Sequence, residues 1–177
     1  MNPAHLHIIL NHIPVIGIPF ATALLAYGLL KKSDDVKTAS LWAFVILAVL
    51  TVPTFLAGRA AEDMVEHLPG VSEQLIERHE GAALIGLIAT LILGAISLTV
   101  LILSRRSKGV RKPLIIGLLI FSIAVGGWLA RTANLGGRIR HTELRDNLPA
   151  ATDEDGEEED ENRNDDGRGR GRGRRDR

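Results

Sequence analysis

Residues 81–103, GAALIGLIATLILGAISLTVLIL, run for 23 positions without a charged side chain. At about 1.5 Å per residue, a helix of that length reaches roughly 34 Å, enough to cross the ~30 Å hydrocarbon core of a bilayer. No soluble core of a chain this short needs such a run. The stretch is expected to be a transmembrane helix.

Three more apolar runs accompany it, at about 8–30, 40–57 and 114–130, separated by short polar turns. Short turns join antiparallel neighbours. The expected fold is therefore all-α: a polytopic, four-transmembrane-helix, up-down bundle occupying residues 1–149, with 150–177 as a charged disordered tail. Asn2-Pro3 reads as an N-cap with proline at the first helical position, so the first helix should begin before its apolar run. Lys31 and Lys32 follow that run, and no Lys or Arg precedes it, the reverse of a signal peptide; a retained span is expected. Pro14 and Pro19 sit inside it, and each removes a backbone donor that neighbouring helices must compensate. Around the third span Ser72 is placed to N-cap the helix, while Gly86, Ala89, Gly94, Ala95 and Ser97 would allow close helix approach. The second and third helices should project past the membrane as a hairpin around Pro69-Gly70. On that projection Arg59, Glu62, Asp63 and Glu66 form a charged stripe, expected to be a solvated face with local ion pairs.

Composition narrows the function classes. There is no cysteine, which excludes disulfides, thiolate metal sites, iron–sulfur clusters and covalent c-type haem attachment by this chain. The formal net charge is +0, yet residues 1–150 carry 14 Lys and Arg against 10 acids, and 151–177 carries 7 Arg against 11 acids. In the tail an acidic block, Asp153–Glu161, precedes an Arg-Gly block. It can bury no core, and its two blocks neutralise each other, so a solvating tail is expected and no nucleic-acid partner. No nucleophile–base arrangement is visible, so no hydrolytic or transferase activity is expected.

Orientation follows from the turns. Lys31, Lys32, Lys37, Arg105, Arg106, Lys108, Arg111 and Lys112 crowd two short loops on one side. By the positive-inside rule that side is cytoplasmic, and both termini lie outside it. All six histidines, His5, His7, His12, His67, His79 and His141, then fall on the non-cytoplasmic side. His5 and His12 share a helix face but stand about 10 Å apart along the axis, so any site must recruit a histidine from another helix. The expected site has His12 and His79 as primary ligands of a haem b or a Cu/Zn ion, with His5 as alternate to His12. Further donors are available in His7, His67, His141, Glu66 and Glu80. Within Thr132–His141, TANLGGRIRH, Gly136-Gly137 is expected to cap the fourth helix and turn the chain. Arg138 and Arg140 would then lie over the bundle end, holding an anionic group such as a haem propionate. The competing expectation is a non-catalytic membrane anchor or assembly partner whose histidines bond to acids and backbone.

HLHIILNHIP at 5–14, AGRAAEDMVEHLPGVSEQLIERHEGAA across the outer loop and TANLGGRIRH after the fourth span resemble the bacterial membrane domain-of-unknown-function family 2231. The resemblance covers roughly residues 3–145. It implies a four-helix protein of the bacterial inner membrane, with periplasmic cytochrome c or respiratory subunits as partners. It carries His12, His79, Gly136 and Gly137 as motif positions without assigning them roles. Arg140-His141-Thr142 departs from the tyrosine-containing ending of some members.

Overall fold

The structure, a computed structural model, describes residues 2–66, 68, 70–106 and 112–141; the expected tail, His67 and the turn at 107–111 lie outside them. The described residues form four α-helices: α1 (Pro3–Leu30), α2 (Asp34–Val65), α3 (Glu73–Arg106) and α4 (Lys112–Arg140). Each is long and apolar enough to cross a membrane. The bundle is up-down and cyclic. α1 packs on α2, α2 on α3, α3 on α4 and α4 back on α1, which leaves α1 and α3 as one diagonal pair and α2 and α4 as the other.

Local chemistry sets the helix ends. The Asn2 side chain accepts the His5 backbone N–H at 2.8 Å, and Pro3 occupies the position whose N–H would be orphaned anyway. A three-residue turn follows α1, with Lys32 in the left-handed region at φ 53°. Ser33 then caps α2 through its side chain, and Asp34 and Asp35 face the positive end of the helix dipole. The hairpin between α2 and α3 turns at Gly70, whose φ of 75° only glycine adopts without strain. α3 starts directly after Ser72, whose carbonyl accepts the Leu75 and Ile76 N–H groups.

The core is apolar, with Phe44, Ile18, Leu25, Leu41, Leu93 and Ile115 fully buried, but unlike a water-soluble bundle the outer surface is apolar too and some hydroxyls lie inside. Phe20, Val49, Ile120 and Ile16 are 61–71% exposed, while Ser40, Thr90, Ser97 and Ser122 are fully buried. The buried hydroxyls are satisfied by carbonyls. Ser40 donates across to Ala21 O on α1 at 2.8 Å, and Thr90 and Ser97 each donate four residues back at 2.7 Å. Apolar side chains face outward because lipid costs them nothing, and small residues let the backbones close up inside. Gly94 shows how tightly: a Cβ built there would lie 2.4 Å from Ala48 Cβ. Gly86 likewise meets Leu129, whereas Ala95 is exposed. Pro14 leaves the Leu10 carbonyl without its helical donor, and the Thr54 hydroxyl of α2 stands 3.4 Å from it.

One expectation is overturned. Gly136-Gly137 does not cap α4, which stays helical through Arg140, so Arg138 continues the helix instead of turning over the bundle end. Two glycines cost helix propensity of about 1 kcal/mol each. Here the helix is held by packing, because Gly136 is where a ring from α3 presses against α4.

Candidate functional site

Of the four helix ends at one pole of the bundle, two begin (α1, α3) and two finish (α2, α4). The described histidines gather there. His7 stands in the second turn of α1 and His79 in the second turn of α3, on the diagonal pair. Their ring centroids are 6.3 Å apart, with planes at 79°. Both rings are partly buried.

Each ring is fixed by the helix beside its own. His7 Nδ1 lies 3.1 Å from the Thr54 carbonyl on α2, and His79 Nδ1 lies 3.0 Å from the Thr132 carbonyl on α4. A carbonyl oxygen can only accept, so Nδ1 carries the proton in both rings, and in the neutral imidazole Nε2 holds the lone pair. Room for the rings comes from a glycine one turn further along. A Cβ at Gly58 would lie 2.9 Å from His7 Cε1, and one at Gly136 would lie 2.9 Å from His79 Cε1. Nothing among the described residues bonds to Nε2 of either ring. The result is two imidazoles oriented through Nδ1 by backbone carbonyls of the neighbouring helices.

His7 therefore replaces His12 and His5 as the ring that meets His79. At about 100° per residue, five residues turn His12 some 140° away from His7, while His5 and His12 differ by only about 20°. Once His7 points into the bundle, the other two share an outer face. Both are exposed, and His12 Nδ1 bonds its own helix at Ile8 O, 2.7 Å away. Arg138 is partly buried in the last turn of α4, and the Arg140 side chain lies outside what is described. Among the described residues no group of three or more His, Cys, Asp or Glu side chains gathers around one point, so the pair His7–His79 has no third such side chain beside it.

The charged stripe of α2 is largely solvated, as expected, with Arg59, Asp63 and Glu66 exposed. Arg59 also pairs with Glu80 at 3.5 Å across the hairpin, a contact beyond the local ion pairs expected of the stripe. Beside it, Trp128 donates its indole N–H to Ala82 O at 2.9 Å and carries the Arg131 guanidinium over its ring at 4.9 Å. An open groove lined by Glu77, Arg78, Ile85, Trp128 and Leu135 runs along this α3–α4 flank.

No protein-family model matches the chain, and searches of curated proteins and of solved structures return no match.

Proposed function

We propose that this membrane bundle holds a metal centre, haem iron or a copper ion, between His7 and His79 and serves as a redox-associated subunit of the bacterial inner membrane. One observation carries the reading: two imidazoles on diagonal helices stand 6.3 Å apart, each with Nδ1 bonded to a backbone carbonyl. Two imidazoles bound trans to one ion at about 2 Å place their centroids roughly 6 Å apart. Fixing Nδ1–H on a carbonyl is also how proteins orient a ligating histidine and raise its basicity. Imidazole suits iron and copper, and the chain has no thiolate to compete. The site lies at the pole opposite the lysine-rich turn, which supports a periplasmic position. Membership of family 2231 is proposed on the motifs quoted above, with periplasmic cytochromes as the expected class of partner.

The test is the absorption spectrum of the detergent-purified protein, oxidised and dithionite-reduced, together with its metal content. A Soret band or one copper per chain is expected, lost in both His7→Ala and His79→Ala and kept in His12→Ala. The rival reading is an anchor in which the two histidines only clamp α1 to α2 and α3 to α4 through those carbonyl bonds. Protein that carries neither haem nor metal after reconstitution would establish that reading instead.

A further inference from the structure

The two histidine settings are the same setting made twice. His7 bonds Thr54 O and rests on Gly58, and His79 bonds Thr132 O and rests on Gly136, so each ring sits over a Thr-x-x-x-Gly segment of the following helix. The threonine hydroxyls repeat as well. Thr54 donates toward Leu50 O (2.9 Å) and Leu10 O (3.4 Å), and Thr132 toward Trp128 O (3.0 Å) and Ala82 O (3.4 Å). Every member of the first set maps on the second by one rule. Residues of α1 advance by 72 onto α3 and residues of α2 advance by 78 onto α4, the six extra residues falling where α3 runs on into α4.

The rule extends through the core. The buried residues of α1 are Pro14, Ile18, Ala21, Leu25 and Gly28, and positions 86, 90, 93, 97 and 100 of α3 are all buried. Of the nine buried residues of α2, Ser40, Phe44, Leu47, Ala48, Thr51 and Thr54 fall on positions 118, 122, 125, 126, 129 and 132 of α4, all buried, while Leu41, Ala57 and Ala61 fall on partly buried ones. Side-chain identity is mostly lost between the halves. What is kept is the burial pattern and the His, Thr and Gly of the cradle. The cyclic packing, with α1 opposite α3 and α2 opposite α4, is compatible with a two-fold axis along the bundle, although α1 packs on α2 more extensively than α3 does on α4.

We propose that the chain is a tandem repeat of one helical hairpin, and that its ligand site is two-fold symmetric by construction, each repeat supplying one Thr-x-x-x-Gly-cradled imidazole to a single metal centre. Thr54, Gly58, Thr132 and Gly136 are then positioning residues, and the ligand is one that takes two equivalent neutral imidazoles in trans: haem iron, or copper(I) in two-coordinate form. This rests on the reading of His7 and His79 as ligands, and the experiment separates the two ideas.

Full-length protein carrying ¹⁵N-labelled histidine is examined by NMR in detergent, with His7→Asn and His79→Asn assigning the signals. Both rings are expected to show protonated Nδ1 and lone-pair Nε2 before any metal is added. Gly58→Ala should shift only the His7 signals and Gly136→Ala only those of His79, by similar amounts, while Gly127→Ala, where a Cβ meets nothing, shifts neither. Different tautomers in the two rings, or a ring indifferent to its glycine, would overturn the symmetric construction. The wild-type tautomers decide this even where a glycine variant does not fold. Addition of haem or of copper(I) should then move both Nε2 signals together. Matched tautomers with Nε2 untouched by either probe would overturn the metal centre and the ligand reading with it, leaving the repeat in place. Response of one ring alone would overturn the symmetric site.

Discussion

At the residue scale, glycines separate positions that packing needs from positions that merely permit. Gly94 approaches Ala48 so closely that any Cβ must displace α2 or α3 backbone, and no flexible side-chain end is there to yield. Gly94→Ala should therefore destabilise the bundle by about 1–3 kcal/mol, the usual scale of overpacking. Gly117 faces open space, and Gly117→Ala should be neutral or stabilising by up to about 1 kcal/mol, since alanine is the better helix former. Thermal unfolding in detergent checks both, and equal behaviour of the two variants would contradict the packing. Ser40 gives a smaller effect. Its buried hydroxyl ties α2 to the Ala21 carbonyl, and Ser40→Ala should cost roughly 0.6 kcal/mol, the mean of such bonds within membranes.

At the element scale, α4 and the α2–α3 hairpin behave differently from their sequence appearance. α4 passes through Gly136-Gly137 as helix, and the two glycines have different surroundings. Gly137 meets nothing within 4 Å, so Gly137→Ala should raise the melting temperature, while Gly136→Ala drives a Cβ into the His79 ring and should lower it. A chain that turned at this pair would show the opposite, because alanine would strain a left-handed cap. In the hairpin the Arg59–Glu80 pair is 63% and 38% exposed at its side chains, and solvent screens it. Arg59→Ala should accordingly change stability by no more than about 1 kcal/mol.

At the scale of the whole molecule, the apolar outer surface and the four long helices place the chain across a bilayer, and two measurements probe its boundaries. The chain contains no cysteine, so single cysteines report topology without background. With Ser72→Cys a membrane-impermeant thiol reagent should label intact cells that have a permeable outer layer, whereas Ser33→Cys should label only after lysis; the reverse pattern would turn the proposed orientation over. The segment 151–177, rich in Asp, Glu, Gly and Arg, offers no apolar area to bury. Its removal should leave the melting temperature within about 5 °C, which for a domain of this size corresponds to roughly 1–2.5 kcal/mol.

The sequence by itself determined that there are four helices, where α1 begins, and which pole carries the histidines, because these depend on local quantities. Twenty or so uncharged apolar residues must be helical in lipid, since no water is present to satisfy the backbone. Asn2-Pro3 and Ser33 act within a single turn. The partner of His79 was not legible in that way. His5, His7 and His12 are chemically identical in a string of letters, and the rotation of α1 about its axis decides which of them enters the bundle. That rotation is set by contacts such as Ile18, Ala21 and Leu25 against the neighbouring helices, each fully buried. The same is true of Gly136-Gly137, where a capping pair and a ring-packing pair look alike until α3 is placed beside them. A sequence signal for the His7–His79 contact did exist, in Thr54-x-x-x-Gly58 and Thr132-x-x-x-Gly136. It carries meaning only once tertiary packing sets a histidine of the preceding helix over each, because the group it serves lies 47 residues away in one case and 53 in the other.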